Sequence, residues 1–226
     1  MKKLLLALVA AGLLIAPAFN AEAARKTRDL VFEEEDSAPV AEAEKADIKD
    51  AQVVSVKTTL ELTRDGKTTN VLPTHEFKSG DKVKLVYTTN IDGYVYWMAK
   101  GSSGTYAILF PSARAGMDNA VKKNTEYNIP VKGAFRFDDT PGKEELLCIL
   151  SPERVPELEK AVAEAASAEG AKSSSSRVNA VKEKNTSKRK TRDLVFEEEN
   201  EEDVNTKTQV APKGEPFVAF YELVHN

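Results

Sequence analysis

The chain has 226 residues, 41% apolar and 30% charged, with a formal net charge of −4. That length suits one domain with tails or two small domains, and a weakly acidic chain is a poor general binder of nucleic acid. A single cysteine, Cys148, excludes a fold stapled by internal disulfides.

The first residues read MKKLLLALVAAGLLIAPAFNAEAA. Lys2 and Lys3 form a short positive region, and Leu4 to Ala16 is an apolar run too short to span a bilayer comfortably. Ala21-Glu22-Ala23 has the small-x-small pattern that a signal peptidase accepts. The pattern predicts a cleaved signal peptide over residues 1–23, Ala24 as the mature N-terminus, and a periplasmic or secreted product. No cysteine follows the apolar run, which argues against a lipid anchor. No second long apolar run follows, so the chain does not read as an integral membrane protein. Removal of Lys2, Lys3 and Glu22 moves the formal net charge from −4 to −5.

Residues 24–50 are acidic and alanine-rich. Beyond Leu30, Val31 and Phe32 they offer little to bury, which predicts a disordered arm. From Ala51 the texture changes. QVVSVKTTLELTRDGKTTNVL alternates apolar and polar residues around an Asp-Gly turn, a hairpin pattern. HEFKSGDKVKLVYTTN turns at Ser79-Gly80-Asp81 and then points Val83, Leu85 and Tyr87 one way. IDGYVYWMAK turns at Asp92-Gly93 into an aromatic strand. GSSG is a further turn, TYAILFP a further strand, and EYNIPV and AFRF are short extended pieces. EELLCILS is a continuous apolar run suited to a central strand. Short strands with turns every eight to twelve residues predict a mainly β fold, an antiparallel β-sandwich that is immunoglobulin-like in broad architecture.

SPERVPELEKAVAEAASAEG breaks the β pattern. Ser151 can cap, a proline lies early, and Val155, Leu158, Val162 and Ala165 or Ala166 recur at helical spacing. One helix is expected near 153–168. The polar stretch over 170–188 reads as a low-complexity, mobile linker. An acidic segment follows, and the chain closes on PFVAFYELVHN, an alternating strand. A strand so late makes 51–226 a single sandwich domain, with the linker as an excursion inside it.

The middle of the chain resembles a known family. FKSGDKVKLVYTTNIDGYVYWMAKGSSGTYAILFP, DNAVKKNTEYNIP and FRFDDTPGKEELLCILS follow, in order over residues 75–152, the pattern of the bacterial envelope family catalogued as domain of unknown function 4384. That pattern is an sGD turn, a dGy-y strand, an LfP strand end, an iP step and a pG-E-l entry to a core strand. The resemblance implies a secreted or periplasmic β-rich module, often attached to other functional domains. The family has no established catalytic residues, so none carries over.

Few residues suggest chemistry. His75 and His225 stand in no zinc-ligand spacing, and no Cys-x-x-Cys occurs. GSSG lacks the strand-turn-helix setting of a nucleophile elbow. Cys148 sits in an apolar run and reads as a buried, inert thiol. Asp138, Asp139, Glu144 and Glu145 cluster carboxylates that could bind calcium, although a solvated turn explains them as well. In GYVYWM, Tyr94 and Tyr96 share one face and Trp97 takes the other. With the tyrosine face exposed, these aromatics form a candidate surface for a polysaccharide or an envelope protein. The alternative has both faces covered. SKRKTR is basic, but the acidic run after it cancels most of its field.

One motif occurs twice. RKTRDLVFEEE runs from Arg25 to Glu35 and again from Arg189 to Glu199. Around its apolar centre (Leu30, Val31 and Phe32; Leu194, Val195 and Phe196) the charge is polarised, basic before and acidic after. Antiparallel self-pairing would set Arg25 against Glu199, whereas parallel pairing would set like charges together. Three readings follow. Only the second copy is structural, as a strand beside PFVAFYELV. Or both copies close sheet edges. Or the arm adds its copy to a second molecule, giving homo-oligomers by strand exchange. The sequence as a whole points to a non-catalytic exported binding or assembly module without a cofactor. An accessory or regulatory subunit of an envelope enzyme, or an enzyme of unknown reaction, are the alternatives.

Overall fold

The computed structural model describes residues 51–101, 103–165, 168–187, 195–199 and 203–226. The expected signal peptide (1–23), the arm of 24–50 with Leu30, Val31 and Phe32, and Leu194 of the second copy lie outside these residues.

β1 (Ala51–Arg64) turns back through Asp65-Gly66 into β2 (Lys67–Val71). Both turn residues have positive φ, 52° and 75°, the conformation a tight hairpin needs and an Asp-Gly pair tolerates. β3 (Glu76–Phe77) and the turn at Gly80 lead into β4 (Lys82–Thr89), where Val83, Leu85 and Tyr87 are buried and alternate with more exposed residues. β5 (Gly93–Lys100) and β6 (Tyr106–Phe110) pair antiparallel as a hairpin. β7 (Ala120–Val121), β8 (Glu126–Ile129) and β9 (Phe135–Arg136) are short, and β10 (Gly142–Ser151) is long. Two helices follow, α1 (Pro156–Glu164) and α2 (Ala168–Ser187), then β11 (Val195–Glu199), β12 (Asn205–Pro212) and β13 (Phe217–His225).

The strands make two sheets. One runs β11-β12-β1-β4-β8, with β2 also on β1 and β9 on β4; the other runs β3-β13-β10-β5-β6, with β7 on β5. All pairings are antiparallel except β13 with β3. This is the mainly β sandwich that the turn spacing predicts. Alternate residues point inward from each sheet. Val56, Leu60, Leu85 and Tyr87 from the first meet Trp97, Leu146, Cys148 and Tyr221 from the second. Tyr87 and Trp97 touch across the interface with ring centroids 5.6 Å apart.

A third layer lies outside the second sheet. Leu158 and Ala161 of α1 and Val178 and Val181 of α2 cover Tyr96, Met98, Leu147, Ile149 and Val218. β10 is therefore buried on both faces, which accounts for its unbroken apolar run. The expected helix near 153–168 is α1, but Ser151 does not cap it: Ser151 ends β10, Val155 occupies the cap position without a side-chain hydrogen bond, and Pro156 opens the first turn.

The expected linker over 170–188 is corrected to the helix α2, so two helices stand where one was predicted. Its inward stripe is Ser174, Val178, Val181 and Asn185, all buried, at steps of four, three and four. The helical period is present, but only two of its four positions are apolar. The small Ser175 also sits against the sheet, its Oγ accepting the Tyr106 backbone N–H at 2.9 Å. Arg177 fastens α2 to α1 through Glu157 at 2.6 Å and Glu164 at 2.9 Å. β12 was hidden for a related reason: its buried residues are Asn205, Lys207 and Gln209, which give no apolar alternation.

Candidate functional site

The structure gathers Tyr94, Tyr96 and Trp97 on one strand but does not leave them as a binding surface. Trp97 is in the core between the sheets. Tyr96 is 1% exposed beneath the helices. Its hydroxyl donates to Glu159 Oε1 at 2.5 Å and accepts the Val155 backbone N–H at 3.2 Å. Burial, with Glu159 beside it, pushes the Tyr96 hydroxyl up to about 12. Tyr94 is half-buried, with the Arg154 guanidinium 4.5 Å from its ring centroid. The face expected to be open is thus covered by α1 and the turn before it, the alternative the alternation of residues had left standing.

Of the repeat, the described residues Val195–Glu199 form β11. It pairs antiparallel with β12, and Glu197 stands opposite Lys207 in the register. The strand is thus across the sandwich from β13, which carries PFVAFYELV in the other sheet. Expecting it beside that segment is corrected by β12: the chain crosses between sheets in the β12–β13 connection. β11 is the terminal strand of its sheet among the described residues.

The remaining sequence candidates have structural occupations. Cys148 is fully buried, and burial raises its thiol far above the ordinary range. His225 is buried, with Nε2 3.1 Å from Ser79 Oγ and Nδ1 3.7 Å from Glu144 Oε1. Glu145 belongs to a cluster joining the second sheet to α2. Lys182 Nζ reaches it at 2.5 Å, Tyr106 donates to it, and Lys100 lies at 3.4 Å. Burial works to raise the Glu145 carboxyl, but the hydrogen bonds from Lys182 and Tyr106 outweigh it and hold it below its usual value. Among the described residues no group of three or more His, Cys, Asp or Glu side chains could hold a metal ion, which leaves Asp138, Asp139, Glu144 and Glu145 without a calcium geometry. Of the basic run SKRKTR only Ser187 is among the described residues.

A feature that sequence reasoning missed lies between the sheets. The sandwich opens there into a cleft of about 660 Å³. Its walls are inward side chains: Leu60, Val83 and Leu85 from one sheet, Ala99, Leu109, Leu146 and Leu223 from the other. The segment from Pro130 to Phe137 closes a third side, with the Phe135 and Phe137 rings. Arg114, Lys132 and Arg136 add three exposed cations. None of the three forms an ion pair with another described residue. Glu144 is the one carboxylate in the lining; burial raises its pKa, the neighbouring His225 opposes that, and Asp138 adds to it. A volume in this range, with apolar walls and a few polar groups, is the usual form of a small-molecule site. No sequence signal marks it, because a gap between correctly alternating strands leaves the alternation intact, and its cations come from two separate places in the chain.

Residues 76–154 match the protein family described as a domain of unknown function (DUF4384), the family that the motifs of residues 75–152 resemble. The match covers β3 to β10, and every residue lining the cleft except Leu60 and Leu223 falls within it. No curated protein and no solved structure matches the chain significantly. No helix among the described residues is long and apolar enough to cross a membrane.

Proposed function

We propose that this chain is an exported, non-catalytic binding module of the bacterial cell envelope, and that it holds its ligand in the cleft between the sheets. The observation that carries this reading is the cleft itself, about 660 Å³ with apolar walls between the two sheets. The signal-like residues 1–23 support export. Structural use of the reactive side chains supports a binding role over a catalytic one: Cys148 is interior, His225 is packed beneath Ser79, and Glu145 is tied to Lys182. Titration of the purified protein with an environment-sensitive apolar fluorophore tests the site. The expected result is saturable emission at one equivalent, lost in Ala99→Phe, which puts a ring into the cleft. Equal emission from both proteins would place the dye elsewhere and refute the reading. For export, deletion of residues 2–23 should retain the protein in the cytoplasm, and unchanged fractionation would count against it.

An assembly role is favoured by a separate observation. Among the described residues β11 ends its sheet, and residues 31–35 have the same sequence as Val195–Glu199. The first copy therefore has the right side chains to take the place of β11 on β12, in a second molecule as well as in its own. Sedimentation of the full chain beside a variant lacking residues 24–36 tests this. Oligomers only with the arm support exchange, and monomers in both preparations dismiss it.

A further inference from the structure

We propose that the cleft is selective for a single-chain anionic amphiphile, an alkyl carboxylate whose chain lies between the sheets and whose head meets Arg114, Lys132 and Arg136. This inference rests on the cleft as the binding site and adds the class of ligand.

The walls decide the chain. They are inward-facing aliphatic side chains such as Leu85 and Leu146, not the exposed backbone of a strand edge. A peptide inserted there would bury N–H and C=O groups among methyl groups, which costs heavily unless each finds a partner. An alkyl chain carries no such groups, and each buried methylene tightens binding about fourfold.

The mouth decides the head. Three cations line the site against the single carboxylate of Glu144, and that carboxylate has His225 beside it. Arg114, Lys132 and Arg136 have no ion-pair partners among the described residues, so a ligand carboxylate displaces no internal pair. The flat guanidinium fork of an arginine matches a carboxylate with two parallel hydrogen bonds. All three side chains are exposed, so the head stays near water and the electrostatic part of the affinity is screened by salt.

The experiment uses the protein without residues 1–23 and measures displacement of the bound fluorophore, below micelle-forming concentrations. The probes are octanoate, decanoate, dodecanoate, dodecanol, acetate and the peptide Leu-Val-Phe-Glu-Glu-Glu, which also joins an apolar run to carboxylates. The expected order is dodecanoate tightest, with about fifteenfold lost per two carbons removed, dodecanol weaker by about tenfold or more, and acetate without effect. The triple change Arg114→Ala, Lys132→Ala and Arg136→Ala should bring dodecanoate to the level of dodecanol and leave dodecanol unchanged. If the triple variant fails to fold, Lys132→Glu alone must weaken dodecanoate and spare dodecanol. Equal binding of dodecanol and dodecanoate overturns the anionic head while leaving an apolar site intact. Tighter binding of the peptide overturns the alkyl chain. Failure of every probe, after failure of the fluorophore itself, removes the cleft reading together with this one.

Discussion

Replacing Tyr96 separates the two roles an aromatic strand can have. The side chain is 1% exposed and sits among Met98, Ile149, Leu158 and Val178. Truncating a fully buried aromatic side chain to alanine costs about 3–5 kcal/mol, a large part of the 5–15 kcal/mol that holds a domain folded. Tyr96→Phe keeps the ring and loses only the hydroxyl that donates to Glu159 and accepts from Val155. Glu159 keeps its contacts with Arg154 at 3.1 and 3.2 Å, so no carboxylate is stranded and the loss should be about 1 kcal/mol. Equilibrium unfolding in urea measures both. With a slope of about 2 kcal/mol per molar, the midpoint should fall by about 2 M for alanine and about 0.5 M for phenylalanine, with the slope unchanged. Suppose Tyr96→Ala moved the midpoint by less than 0.3 M and instead abolished capture of an envelope partner. The tyrosine face would then be a working surface, and the helical layer described here would be wrong.

Gly93→Ala should destabilise by about 1–3 kcal/mol or more, because its new carbon would lie 2.3 Å from the Ser151 carbonyl oxygen; thermal unfolding within one degree of wild type would show that the strands can part there. Ser174→Ala should raise stability by a few tenths of a kcal/mol up to about 1. It removes a buried hydroxyl without a hydrogen-bond partner and improves helix propensity, and a lower midpoint in urea would contradict it. Asp81 is buried, accepts two hydrogen bonds from Arg64 at 2.8 and 2.6 Å, and its carboxyl is held below the ordinary value chiefly by that contact. The sign follows: its stabilisation is complete above the unfolded aspartate value near 3.9 and fades as pH falls through the lower folded value. Asp81→Asn should therefore cost about 1–3 kcal/mol at pH 7 and much less near pH 2, and a cost independent of pH would refute the assignment.

The strands that read clearly in the sequence are those with one apolar face. β4 alternates because one side of it meets the core, and Asp65-Gly66 marks the turn between β1 and β2 because few other pairs accept two positive φ values. Trp97, expected with the tyrosines in a candidate binding surface, is instead interior, on the face of β5 opposite Tyr94 and Tyr96. What failed to show was whatever packs without apolar side chains. α2 lies on the sheet through serine, valine and asparagine, and β12 turns Asn205, Lys207 and Gln209 inward. The apparent openness of Tyr94 and Tyr96 follows from the same gap, since their cover belongs to segments that look too polar to cover anything. A hint was present: Leu146 to Leu150 in β10 is apolar at every step, which requires burial on both faces and hence a third layer. The cleft had no comparable hint, because packing gaps depend on how far apart two sheets stand and not on which faces they turn inward.

The order of strands bears on how this protein can be cut. Residues 76–154 supply β4, β5 and β10, yet their long neighbours come from elsewhere: β1 pairs with β4, and β13 pairs with β10. A fragment ending at residue 154 would bare the inner edge of both sheets and, with α1 and α2 gone, the outer face of one of them. Exposed edges and apolar faces of that kind invite aggregation. The recognisable part of the chain is therefore not a unit of folding: expression boundaries drawn from the family match alone should yield insoluble protein, whereas boundaries at 51 and 226 keep each long strand beside its partner.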